Sequence, residues 1–320
     1  MNAVLSVVVP TFRRDELLKK CLDCLVSQRL DRSLFEIIVA DDAASASTRR
    51  LVESYRSAGG PAVCYIPVVD RHGPAAARNV GWRAARGEVI AFTDDDCQPR
   101  ADWLAAGWKA IGGADAATGR TVVPIPPRPT DHDRDTAGLS RAAFITANLF
   151  CRRDALENVG GFDENFALAW REDSDLHFAL LERGMKIVVA DHAVVVHPVR
   201  PVPWGISLRA QRRGVFDPLL YRKHPELYRR YIPPLPRYYY AATAGLALAL
   251  AAAAVGRADW ALGSLAVWLA ITAWFAGHRL RGASKDLAHL TEMMVTSAII
   301  PLLSVYWRVR GSLRYRAFYW

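Results

Sequence analysis

The sequence predicts an α/β domain on a mostly parallel, doubly wound sheet, followed by helices that associate with a membrane. Three observations predict it. Short apolar runs of β type alternate with helix-patterned segments from Val4 to Phe92, with short connections. The runs end in polar residues, and open α/β sheets bind ligands beyond the carboxyl ends of their strands. Past Arg237, two stretches of 18 residues, Tyr238 to Val255 and Trp260 to Gly277, contain no charged residue.

Each element follows from local pattern. Val4 to Val9 reads as a buried strand stopped by Pro10. Asp15 to Leu30 has helical spacing, with Leu17, Leu18, Cys21, Leu22 and Leu25 on one face. Phe35 to Ala40 is a second strand, ended by Asp41-Asp42, and Thr48 to Ala58 a helix closed by Gly59-Gly60. Val63 to Val69 is a third strand, Gly73 to Ala85 a helix, and Val89 to Phe92 a fourth strand running into Asp94-Asp95-Asp96. Gly119 to Arg141 holds four prolines and reads as a short strand followed by a mobile loop, a candidate lid. Its Asp131-His132-Asp133 is either a solvated loop or a set of metal ligands. Phe144 to Arg152 is strand-like and Asp154 to Val159 a short helix. From Glu172 to Gly184 the pattern is helical, so Asp173 sits in a first turn, where the helix dipole favours carboxylates in any case. Met185 to Val196 is strand-like and ends in His197.

Composition limits the classes of function. The whole chain of 320 residues carries a net +9. From Arg200 onward, 17 Lys and Arg stand against 5 Asp and Glu, so the basic excess belongs to the C-terminal part alone. Residues 201–237 mix that charge with Trp204, Phe216, Tyr221, Tyr228 and Tyr231, as a segment lying on a membrane surface does. Nucleic acid is the other partner for such a stripe. The uncharged stretches that follow exclude it in favour of a bilayer. At about 1.5 Å per residue each nearly matches a hydrocarbon core of roughly 30 Å. Both are rich in Ala and Gly, which suits a packed helical hairpin over 238–277. Basic residues before and after the hairpin place both flanks in the cytoplasm. A third apolar run, Met293 to Trp307, is short for a span and reads as a re-entrant or in-plane helix, with spanning as the alternative. The organisation expected is a catalytic domain over 1–200, an interfacial segment over 201–237, the hairpin, and a tail over 278–320 that holds the third helix. Five scattered cysteines do not form a disulfide framework, and the lone Cys21-x-x-Cys24 falls on one helix face, as packing residues do. The N-terminus has neither the basic region nor the apolar core of a signal peptide.

The acidic cluster carries the chemistry. Three consecutive carboxylates at the end of a buried strand repel, and a divalent cation between them removes the repulsion. A solvated acidic turn is the plain alternative. Six motifs then occur in order: Val7-Val8-Val9-Pro10-Thr11-Phe12, Ile38-Val39-Ala40-Asp41-Asp42, Ala77-Arg78-Asn79-Val80-Gly81 with Ala85-Arg86-Gly87-Glu88, Asp94-Asp95-Asp96, Gly160-Gly161-Phe162-Asp163-Glu164, and Glu172-Asp173. Together they resemble the family 2 glycosyltransferases of the GT-A fold, over about Val4 to Pro198.

The resemblance implies an inverting transfer of sugar from a nucleotide-diphosphate donor to a hydroxyl. It gives Asp42 the nucleotide base, with Pro10 and Thr11 lining that pocket, and leaves Asp95 for the ribose. It makes Asp94 and Asp96 a DxD motif holding Mg2+ or Mn2+ against the diphosphate. Arg78 either approaches the diphosphate or lies on a helix surface. His197 either faces the metal or closes a strand. Asp173 is implied as the general base, and Gly161, Asp163 and Glu172 shape the sugar and acceptor pocket. Processive members carry a Gln-x-x-Arg-Trp motif, whereas this chain has Gln211-Arg212-Arg213-Gly214-Val215, so single-sugar transfer is expected. The expected setting is the inner face of a cell's cytoplasmic membrane, with a lipid-linked or envelope-glycan acceptor and no nucleic acid. Two other classes compete: a non-catalytic nucleotide-sugar-binding membrane scaffold, and a sugar-nucleotide pyrophosphorylase. Asp94, Asp96 and Asp173 together count against the first. Thr11-Phe12-Arg13-Arg14, a poor glycine-rich phosphate loop, counts against the second.

Overall fold

The computed structural model describes residues 4–56 and 59–319. The readings for residues 1–3, for 57–58 at the end of the second expected helix, and for residue 320 lie outside the described residues. Two compact units form, Met1–Pro124 with Ala137–Val199, and Ile125–Thr136 with Arg200–Trp320.

The first unit contains β1 (Leu5–Thr11), α1 (Asp15–Val26), β2 (Phe35–Asp41), α2 (Ala46–Ser54), β3 (Ala62–Pro67), α3 (Pro74–Ala84) and β4 (Val89–Phe92). β5 (Gln98–Pro99), α4 (Trp103–Ile111) and β6 (Ala116–Val122) follow; after α5 (Asp131–Ala137), most of which belongs to the second unit, come β7 (Leu149–Arg152), α6 (Arg153–Val159), α7 (Glu172–Glu182) and β8 (Ile187–Val196). The strands lie in one sheet in the order β3-β2-β1-β4-β7-β6-β8-β5. β1 pairs in parallel with β2 and β4, and β2 with β3. β7 runs antiparallel to β4 and β6, β6 is parallel to β8, and β5 is antiparallel to β8. The sheet is therefore mixed and mostly parallel. The order reverses at β1, which places a crevice beyond the carboxyl ends of β1 and β4.

Both faces are covered, and this is why β1 and β2 read as largely apolar runs rather than as alternating ones. Leu5, Val7, Val9, Ile37 and Val39 pack on one side with Leu18, Leu22 and Leu25 of α1 and with Trp103. Val8, Ile38, Ile90 and Phe92 pack on the other with Trp82, Leu156, Leu176 and Leu180. Residues 98–115 carried no sequence assignment. α4 hides there because it is short and has Gly107 at its centre, a poor helix former. A side chain at Gly107 would meet the Phe150 ring within 2.0 Å, so the glycine is dictated by packing. The expected strand Phe144 to Arg152 is pared to β7, preceded by a 3-10 turn over Thr146–Asn148. There the buried Asn148 accepts from Trp103 Nε1 and donates to the carbonyls of Arg120 and Ala193.

His177 on α7 stacks on Phe144, ring centroids 4.6 Å apart. Burial holds its imidazole down at about 4. Because the folded value lies below the unfolded one near 6.5, this histidine removes stability as pH falls from about 6.5 toward 4. Allowing for its partial exposure, wild type should lose about 1–2 kcal/mol between pH 7 and pH 5 that His177→Gln does not lose. Thermal unfolding of both proteins at the two pH values checks this; parallel losses would remove His177 as the cause.

The second unit contains α5, then α8 (Ile206–Ala210), a 3-10 stretch over Gln211–Phe216, α9 (Asp217–Lys223), α10 (Pro225–Tyr231), α11 (Arg237–Ala254), α12 (Ala258–Leu280) and α13 (Leu287–Tyr315). The two uncharged stretches coincide with α11 and most of α12. Tyr238 of α11 meets Trp274 of α12 edge to face, centroids 5.0 Å apart. By length and composition α12 and α13 are apolar enough to cross a membrane. α11 falls outside that pair because it opens on Arg237 and three tyrosines. Two expectations change. Met293 to Trp307 is no short run, since it forms the middle of a 29-residue helix. The expected loop at Asp131-His132-Asp133 is helical, and it is held in place. Arg279, itself 8% exposed, donates from Nη2 to Asp131 Oδ2 at 2.6 Å and from Nη1 to the hydroxyls of Thr296 and Ser297. Arg279 Nε also donates to Asp131 Oδ1, so one guanidinium holds both carboxylate oxygens and sets Asp131 apart from a free metal ligand.

Candidate active site

The site grows from the carboxyl ends of β1, β2 and β4 in the first unit. β4 ends at Phe92, and the chain turns at once, with Cys97 N donating to the Asp94 carbonyl. That turn sends the three aspartates in different directions. Asp94 keeps its side chain 28% exposed, and its Oδ1 accepts from Arg78 Nη2 at 2.8 Å. Asp95 turns inward, with its side chain 3% exposed. It accepts from the Thr11 hydroxyl at 2.7 Å and from Arg14 Nη1 at 3.1 Å. Asp96 is buried and stands 3.5 Å from Nε2 of His197, the residue that follows β8.

Asp95, expected at the ribose, ties the β4 turn to the end of β1 and takes up the Thr11 hydroxyl. Burial pushes its carboxyl up to about 6 against the pull of Arg14. Asp94 moves the other way: burial raises it, but Arg78, with lesser help from His197 and Arg14, holds it below the ordinary range. Among the described residues, Asp96, Cys97 and His197 offer ligand atoms within 4.8 Å of one another. His197 Nδ1 has no hydrogen-bond partner.

Arg78 joins this turn to the second acidic motif. It comes from α3 and is 4% exposed, which removes the helix-surface alternative. Its other nitrogen, Nη1, donates to Glu172 Oε1 at 3.0 Å. Glu172 opens α7 and is itself 4% exposed. Burial drives its carboxyl upward, with Arg78 opposing and Asp173 adding to the rise. The turn into α7 is made by Arg171 in the left-handed region, φ 75. Such a conformation in a non-glycine residue is held by its surroundings and recurs at functional sites. It sets Asp173, half-buried, in the first turn, with Oδ1 accepting from Ser174 N at 2.6 Å. Burial raises the Asp173 carboxyl above the ordinary aspartate range, with the Ser174 amide and the charges of Arg78 and Arg171 opposing.

The remaining expected residues separate into two groups. Asp42 lies at the end of β2, beside β1, whose Pro10 and Thr11 pair with Ala40 and Asp41. It accepts from Gly73 N at 2.9 Å and faces His72 Nδ1 at 2.8 Å. Asp41, by contrast, is fully buried and caps the following loop by accepting from Ala43 N and Ser45 N. Gly161 lies at φ 76 in the turn after α6, and a side chain there would come within 2.7 Å of Asn79 Oδ1 and Trp82 Nε1. Its place is structural: Asn79 clamps the adjacent Phe162 through both its amide and its carbonyl. Asp163 caps the next turn, accepting from Asn165 N. Sequence reading singled out neither Arg14 nor Asn79. Asn79 had a signal, as the neighbour of Arg78 in a motif, but nothing local marks Arg14 as a partner of Asp95.

The sequence profile of Glycosyl transferase family 2 matches residues 6–172. Glycosyltransferase AglE of Haloferax volcanii is 28% identical over 221 residues, covering 65% of this chain and 70% of AglE. Validoxylamine A glucosyltransferase of Streptomyces hygroscopicus subsp. limoneus is 26% identical over 290 residues, covering 75% of this chain and 59% of that enzyme. Other curated relatives are longer still, and the chain spans 14% of the poly(ribitol-phosphate) beta-glucosyltransferase of Bacillus spizizenii. Among solved structures, the mannosyltransferase PcManGT of Pyrobaculum calidifontis, in complex with GDP-Man and Mn2+, aligns over 97% of this chain and 88% of its own, with a TM-score of 0.59 and 21% identity. That likeness is one of fold.

Proposed function

The chain belongs to glycosyl transferase family 2, and from that premise we propose that it moves one sugar from a nucleotide-diphosphate sugar to a hydroxyl of a lipid-linked or envelope-glycan acceptor, with inversion, at a membrane. The observation that carries the reading is Arg78. Buried, it bridges Asp94 on the donor side of the crevice and Glu172 beside the proposed base. The two acidic motifs are thereby held as one unit on one sheet edge, as a displacement needs when donor and acceptor must meet in line.

Asp173 takes the proton of the attacking hydroxyl. Its carboxyl, raised by burial, is a better base than an ordinary aspartate. Asp42 faces the nucleotide base, while Thr11 acts through Asp95. A metal fits the residues present. Asp96 and His197 offer an oxygen and a nitrogen 3.5 Å apart, longer than a hydrogen bond, with Asp94 on the same turn. Carboxylates and one imidazole suit Mn2+ or Mg2+. A bound divalent ion supplies charge stabilisation for the departing diphosphate. Single-sugar transfer is supported by Gln211, whose Oε1 accepts from Ser304 inside the helical unit. The hairpin of α11 and α12 supports membrane attachment.

The full chain, purified and offered a panel of nucleotide sugars with and without Mn2+, should hydrolyse or transfer one donor in a metal-dependent way and release the sugar with inverted anomeric configuration. Tight donor binding without turnover would instead favour a scaffold.

A further inference from the structure

We propose that α13 is not a membrane span but an in-plane helix, its polar face covered by residues 205–222 and its apolar face resting in bilayer lipid. The proposal deepens the membrane-bound reading above and rests on it.

Length and composition would let α13 cross a membrane. Its contacts argue otherwise. Glu292 accepts from Gly205 N, Ser304 donates to Gln211, Arg308 pairs with Asp217, and the Tyr315 carbonyl accepts from Arg222. These contacts run in register from the second turn of α13 to its last residue. The covering segment contains Arg209, Arg212, Arg213, Asp217 and Arg222. A spanning α13 would carry that charged segment through the hydrocarbon core, at a large cost in desolvation.

The hairpin gives an independent argument. Burial on α12 is confined to Thr272, Phe275, Ala276 and Arg279, in its final turns. On α11 the buried Gly245 faces Ser264 and Trp268 of α12, a contact within the hairpin itself. Arg279, at the end of α12, meets Thr296 and Ser297 near the middle of α13. α13 therefore meets the hairpin at its charged end. A third spanning helix would bury side chains along the whole length of its neighbours.

The opposite face of α13 has the chemistry of a lipid contact. Leu287, Met294, Val295, Tyr306, Val309 and Leu313 are 39–76% exposed. At 100° per residue they fall in one stripe, away from the buried face of His289, Met293, Ile300, Ser304 and Arg308. The stripe belongs to the same unit as the exposed apolar residues of the hairpin, such as Leu248, Leu262 and Leu269. Lys285, Arg310 and Arg314 flank it, as cations flank an apolar face that lies among anionic head groups.

The test uses the full chain in sealed bacterial membrane vesicles of both orientations. Carbonate-washed pellets first establish membrane residence. Lys285→Cys and Arg314→Cys are then reacted with a membrane-impermeant maleimide, scored on their own peptides so that native cysteines do not interfere. Both should label from the same side. Fluorophores at Met294→Cys and Val309→Cys should be quenched to the same degree by a lipid carrying a nitroxide near the head group. The two sites lie about 22 Å apart along the axis, so in a span their depths would differ. Labelling from opposite sides, or unequal depths, overturns the proposal and leaves the membrane-bound reading standing. A washed pellet without protein overturns both. Quenching of neither site, with the protein running as a dimer, would assign the stripe to a second copy and overturn the lipid contact.

Discussion

Asp173→Asn should lower sugar transfer by about 100- to 10,000-fold while leaving donor affinity within a few-fold of wild type. Asparagine keeps the shape of aspartate and leaves an oxygen to accept from Ser174 N, so the entry to α7 should survive. What it loses is the ability to take a proton. Because burial raises the Asp173 carboxyl, the wild-type rate should fall on the acid side at a pH above the ordinary aspartate range. Transfer rates across pH, with donor binding measured by calorimetry, check both parts. A variant that transfers at the normal rate removes Asp173 as the base. A variant that loses donor binding in proportion to rate would instead make Asp173 part of the donor site.

Arg78→Met should strongly destabilise the first unit. It removes the cation between Asp94 and Glu172 and leaves a buried carboxylate without its partner. Removing one member of such a pair costs about 3–5 kcal/mol. The loss has a predictable sign with pH. Without Arg78 the folded value of Asp94 rises above its unfolded value, and that of Glu172, already above it, rises further. Stability is then retained at low pH, where both are protonated, and lost as pH rises through those raised values. The gap from wild type should therefore be widest near pH 8 and narrow toward pH 4. Denaturant unfolding in detergent at the two pH values checks this. A gap that does not change with pH would mean that Arg78 acts through packing alone, for instance its contact with the Phe162 ring. Arg78→Lys should recover only part of the loss, because a single ammonium does not reach both acids as the forked guanidinium does.

Much of the first unit was legible in the sequence, because its signals are local. A strand buried on both faces must be largely apolar, and β1, β2 and β4 are, with Ser6 and Glu36 buried only as a hydrogen-bonded pair. The ends of those strands must be polar, and Thr11, Asp41-Asp42 and Asp94 to Asp96 are. The helix between Gly73 and Ala85 announced itself by its flanking glycines, Gly73 and Gly87. The miss at α4 has an equally local cause: a glycine chosen for its contact with Phe150 erased the helical signal around it. β5 left no trace, and β7 was legible as a strand but not as a reversed one, since strand direction is set by the partner and not by the strand.

The sequence by itself determined that this chain builds an α/β domain with three acidic strand ends, and that its basic, uncharged-helix half follows that domain. Periodicity and charge are properties of neighbours in the chain, so they can be read from it. The tertiary structure alone decided what each carboxylate faces. Asp94 met Arg78 across a close helix, Glu172 met the same Arg78 across a separation of 94 residues, and Asp95 turned away to Thr11 and Arg14. Three adjacent aspartates look alike in the sequence. They differ in the fold because alternate side chains leave a turn in different directions, and because each buried charge is stable only where a distant partner has been brought to meet it.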